Sequence, residues 1–99
     1  MSAENVEIKA FEEKISTQLQ QAKSQLAEFD ARAKSQMAQT EITTINRLKA
    51  KQQEIEKKRQ ALKTVGHAKV EQAKAEIDRE VTNLKSSLAE LGTKLKKAG

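Results

Sequence analysis

The sixty-five residues from Met1 to Val65 contain neither proline nor glycine, the two residues that most reliably end a helix. The whole chain of 99 residues has no proline, and its three glycines are Gly66, Gly92 and Gly99. A sequence so free of breaks can only build long helices, provided its apolar residues repeat at helical spacing. They do. Ile8, Phe11, Ile15, Leu19, Ala22, Leu26, Phe29, Ala33 and Met37 follow one another in steps of three or four, the seam of an amphipathic helix and not the alternation of a strand. A second register runs through Ile42, Ile45, Leu48, Gln52, Ile55, Arg59, Leu62 and Val65, and a third through Val70, Ala73, Ile77, Val81, Leu84, Leu88, Leu91, Leu95 and Ala98. Paired steps of four, as in Phe11-Ile15-Leu19, unwind a left-handed supercoil toward straight helices.

Gly66 is the strongest candidate for a turn. Thr64-Val65-Gly66-His67 has the form of a helix C-terminus with glycine supplying the left-handed residue. The expected fold is therefore all-α: one domain over 1–99, an antiparallel coiled-coil hairpin with a helix over about 4–65, a turn near 66–67 and a helix over about 68–97. Ser2 or Asn5 would cap the start, and Lys94, Lys96 and Lys97 would complement the dipole at the end. The alternative is a three-helix bundle with a break near Thr40. Five of the six residues in Thr40-Glu41-Ile42-Thr43-Thr44-Ile45 are β-branched, which weakens the helix there. Around Phe29, the acid-before-base pairs Glu28/Arg32 and Asp30/Lys34 favour an uninterrupted helix.

A hairpin of one long and one shorter helix leaves part of the first stripe uncovered. Ile8, Phe11, Ile15, Leu19, Leu26 and Phe29 are then an interaction stripe, covered most simply by a second copy of the chain or by another helical protein. Charge points the same way. Residues 1–30 carry three lysines against six carboxylates, and residues 31–65 nine basic residues against three acids. Two antiparallel copies would set the acidic third beside the basic third.

The basic run Arg47, Lys49, Lys51, Lys57, Lys58 and Lys63 has a second reading, phosphate contact with nucleic acid or an anionic membrane. Glutamates interrupt the run and the chain has no Tyr or Trp to stack on bases, so a solvated helix face is the favoured reading. The single histidine, His67, and the absence of cysteine leave no typical transition-metal site. The three glycines are too far apart for a phosphate loop, so no catalytic residue, cofactor or small-molecule substrate is expected. The N-terminal residues lack the basic and apolar segments of a secretory signal, and no window approaches a membrane span, so a cytoplasmic setting is expected.

Leu26-Ala27-Glu28-Phe29-Asp30-Ala31, the stretch from Leu48-Lys49-Ala50-Lys51 to Ala61-Leu62-Lys63, and Gly66 between amphipathic segments resemble the short bacterial coiled-coil proteins of about a hundred residues that have no assigned activity. The resemblance implies a helical hairpin in a bacterial cytosol. Hydrophilic alanine- and lysine-rich composition is also similar to late-embryogenesis-abundant and apolipoprotein-like chains, which implies the alternative function: a conditionally helical protein that binds anionic membrane or nucleic acid. The favoured function is a non-enzymatic coiled-coil interaction module that self-associates.

Overall fold

A computed structural model describes residues 3–98, with side chains at 7–66 and 68–96. The expected cap Ser2 and the side chains of Asn5, His67 and Lys97 lie outside what it describes. The described residues are all-helical: α1 spans Ala3–Ser35, α2 Gln39–Ala61 and α3 Val70–Ala98, with short 3-10 turns at Leu62–Thr64 and His67–Lys69. Every pair of the three helices is in contact. Asp30 meets Lys49 and Glu12 approaches Lys63, so α1 and α2 run antiparallel. Phe11 lies under Lys74 and Phe29 lies against Gly92, so α1 and α3 run parallel along an assembly of 51 × 17 × 16 Å.

The continuous helix expected over 4–65 is interrupted at Gln36-Met37-Ala38. The Met37 N–H donates to the Lys34 carbonyl (3.1 Å) and the Ala38 N–H to the Ala33 carbonyl (2.9 Å), with Met37 at φ 56°. This is a Schellman closure with methionine at the left-handed position that glycine usually fills. The Gln39 N–H then donates to the Met37 carbonyl (3.1 Å) across Ala38, whose φ −83° and ψ 81° form an inverse γ-turn. Ala38 and the 0 % exposed Ala33 join the core on the inner side of this turn, as the hydrophobic contact of the motif requires.

The β-branched stretch that suggested a break lies within α2. Thr43 and Thr44 donate their hydroxyls to the carbonyls of Gln39 and Thr40, each at 3.1 Å, so the helix satisfies both hydroxyls without breaking. Gly66 also departs from expectation, because no described glycine has positive φ. The second reversal begins at an extended Val65 (φ −71°, ψ 135°), and the Gly66 carbonyl accepts the Lys69 N–H at 2.8 Å to start the next turn.

Magnitudes explain why α1 leaves α2 despite having no glycine to turn on. A left-handed non-glycine residue costs about 1–2 kcal/mol. Ile15, Leu19 and Leu26 are 0–1 % exposed, and burying each contributes about 1.5–3 kcal/mol. The same core takes in Ile45, Ile55 and Leu62 of the second segment and Ile77, Leu84 and Leu95 of α3, all at most 2 % exposed. Folding α1 back therefore outweighs the strained turn severalfold.

Candidate functional site

The expected interaction stripe is inside the molecule. Ile15, Leu19 and Leu26 are buried, while Ile8, Phe11 and Phe29 are partly buried and packed on the same core. The overhang that called for a second copy does not exist, because α1 ends at Ser35 and the chain's own α2 and α3 cover its stripe.

The basic run is largely occupied as well. Lys49 donates to Asp30 at 3.2 Å, where Lys34 also lies 3.1 Å away. These two lysines, Lys34 foremost, hold the Asp30 carboxyl below its ordinary range. On the other side, Lys58 donates to both oxygens of Glu80 (2.8 and 3.0 Å) and to Glu76 (2.9 Å), while Lys51 donates to Glu80 at 3.0 Å. Burial works to raise the Glu80 carboxyl, but Lys58 and Lys51 together outweigh it and leave the group below its ordinary value. Glu80 and Glu76 in turn hold Lys58 above the usual lysine range. Lys63 is 3.9 Å from Glu12, so four of the six cations face acids on neighbouring helices. Arg47 and Lys57 project from the outer face of α2, with no ion pair among the described residues. The acid-base asymmetry that suggested antiparallel copies is thus matched within one chain.

Two concave surfaces stand out among the described residues. Between α1 and α2, a cleft of about 410 Å³ is lined by Ile8, Lys9, Glu12, Glu13, Ser16, Arg59 and Lys63. Glu12 is 7 % exposed and its Oε1 has no hydrogen-bond partner. Arg59 bonds to Glu56, with Nε 3.1 Å from the Glu56 Oε2, and that bond lowers the Glu56 carboxyl and raises the Arg59 guanidinium. Positive and negative groups alternate around this cleft, so it favours no single ligand charge.

The larger surface is an open trough of about 730 Å³ between the parallel helices α1 and α3. Thr17, Gln18, Gln20, Gln21, Ala22, Ser24, Gln25 and Phe29 line one wall, and Lys85, Leu88, Ala89 and Gly92 the other. Lys85 is the one charged residue among these twelve, in a chain where 33 % of residues are charged. The Gln18 Oε1 is buried without a partner. At one end the Phe29 ring approaches the α3 backbone closely, and a Cβ on Gly92 would stand 3.2 Å from its Cζ. Sequence reasoning missed Gly92 and the glutamines. The available signal was a glycine inside a strongly periodic helix, which marks close approach, together with the charge gap from Ser16 to Ala27, broken only by Lys23.

Among the described residues no helix is long and apolar enough to cross a membrane, and no group of three or more His, Cys, Asp or Glu residues is placed to hold a metal ion. No protein-family model, no curated protein and no solved structure matches the chain.

Proposed function

We propose that this chain is a non-enzymatic protein-interaction module, a self-contained three-helix bundle whose α1–α3 trough receives a helix of a partner protein. The observation that carries the reading is the trough's loss of charge on an otherwise charged surface. Depletion of charge with a small apolar floor distinguishes the centre of a protein interface from ordinary surface. Helix-in-groove docking suits the shape, because Ala22, Ala89 and Gly92 leave room between two parallel ridges. A donor from the incoming helix would also satisfy the buried Gln18 Oε1. Nucleic acid or membrane binding through α2 is the weaker reading, since inter-helix pairing uses most of the cations it needs.

Site-specific photocrosslinking in the source cell tests the proposal. A crosslinker at Gln21, Ser24 or Ala89 is expected to trap one discrete partner, and the same group at Arg47 or Lys57 is expected to trap none. Equal crosslinking from both faces, or none from the trough, would overturn the reading.

A further inference from the structure

Met37 is the one large hydrophobic side chain strongly exposed among the described residues, at 86 %, and it is also the one non-glycine residue with positive φ. These two oddities have a common explanation in the spacing of the chain. Ile15, Leu26, Met37, Leu48 and Arg59 recur every eleven residues, as do Phe11, Ala22, Ala33, Thr44 and Ile55. An eleven-residue period places each row along one side of a nearly straight, uninterrupted helix. Every other member of both rows is buried or half-buried, whereas Met37 is stranded on the turn. No glycine, proline, asparagine or aspartate occurs between Ser35 and Gln39 to commit the chain to turning there.

We propose that residues 36–38 are a hinge, and that two copies of this chain exchange α1 helices across it. In the exchanged dimer α1 and α2 form one continuous helix, Met37 returns to its row, and each α1 packs on the α2 and α3 of the other copy. The core contacts and the Asp30–Lys49 pair are re-formed between chains, so the two states differ chiefly at the hinge and in the entropy of association. The partner is a second copy because only an identical α1 fits the space that α1 vacates. The trough between α1 and α3 persists in both states, so this inference stands or falls independently of the docking proposal.

Sedimentation equilibrium over a concentration series, on the native chain and on Met37→Gly and Met37→Ile, tests the hinge. Glycine relieves the left-handed turn in both copies, so Met37→Gly is expected to lower the dimerisation constant at least about thirtyfold. A β-branched residue fits that conformation worst, so Met37→Ile is expected to raise the constant. The form of the dimer is read from spin labels at Ala27 and Ala50 on chains diluted into unlabelled protein. A continuous helix separates the two positions by about 35 Å within one chain, whereas the closed form keeps them near the Asp30–Lys49 contact. A Met37→Ile chain that stays monomeric throughout, or a dimer whose labels remain close, would overturn the proposal.

Discussion

Lys58 of α2 donates to both carboxylate oxygens of Glu80 on α3, at 2.8 and 3.0 Å, while Lys51 reaches the same carboxylate at 3.0 Å from two turns away. The Glu80 side chain is 12 % exposed and those of Lys58 and Lys51 are 32 % and 37 %. One inward carboxylate thus fixes the register of two helices against each other. Replacing it with glutamine leaves Lys58 its bond to Glu76 and Lys51 its contact with Glu54, so the loss is moderate. Glu80→Gln is expected to cost about 1–2 kcal/mol in urea unfolding, more than an exposed pair contributes. A change below a few tenths of a kcal/mol would show that solvent already screens the triad.

The same groups set the response to acid. The Asp30, Glu56 and Glu80 carboxyls all lie below their ordinary values in the fold. A carboxyl depressed by folding contributes stability above its unfolded value, and that contribution disappears as pH falls through the folded value. Stability is therefore expected to hold near neutrality and to decline below about pH 4.5, where unfolded carboxyls begin to protonate. Lys58 has the opposite sign: its raised value contributes stability that is fully present below the ordinary lysine value and is lost as pH rises from there through the folded value. Thermal melts from pH 7 to pH 3 check this, and Glu80→Gln should flatten the acid limb. An unchanged limb in that variant would place the acid sensitivity elsewhere.

The two turns make opposite demands on glycine from those their sequences suggest. Met37 sits at φ 56°, so Met37→Gly, measured at monomer concentrations, is expected to stabilise the chain by about 1 kcal/mol. Gly66 needs no left-handed backbone, and a Cβ there meets nothing within 4 Å. Gly66→Ala is therefore expected to be neutral or to stabilise by up to about 1 kcal/mol, by restricting the unfolded chain. If Gly66→Ala instead costs 1–2 kcal/mol, as a left-handed glycine would, this account of the second turn fails.

The apolar stripes were legible in the sequence because helical spacing alone fixes which residues share a face. Ile77, Val81, Leu84, Leu88, Leu91 and Leu95 are all buried as their periodicity implies. The first turn was hidden for a local reason: its Schellman closure uses Met37 where the recognisable signal is glycine, and Ala38 makes no side-chain cap bond. Only the tertiary gain from covering Ile15, Leu19 and Leu26 selects that turn, and local propensity carries no trace of it. Missing it converted a core into a supposed interface. The trough escaped notice because glutamine, alanine and glycine read as diluents of a seam until two helices bring them together.

That misplacement changes what substitutions in α1 should do. An exposed Leu19 or Leu26 would govern association and leave the helix intact, but each is 1 % exposed within one chain. Leu19→Ala and Leu26→Ala are each expected to cost about 2–5 kcal/mol, through lost transfer energy and the cavity left behind. Leu19→Asp and Leu26→Asp are expected to unfold the chain outright, with loss of the circular dichroism helix signal. A Leu19→Asp variant that keeps full helicity would return Leu19 to the surface.

Phe29 and Gly92 provide the sharpest test of the trough's shape. Glycine inside α3 costs about 1 kcal/mol relative to alanine, and it is tolerated where the Phe29 ring needs the space of a side chain. An added Cβ would stand 3.2 Å from the ring's Cζ, closer than comfortable contact, but the ring is half-buried at the end of an open trough and can swing outward. Gly92→Ala is therefore expected to stabilise the chain by less than the full propensity gain. In a Phe29→Ala background the obstacle is gone, and the same substitution should yield about 1 kcal/mol. The difference is a coupling energy that a double-mutant cycle measures directly. Equal gains in both backgrounds would mean that ring and glycine do not touch, and would remove the floor from that end of the proposed docking surface.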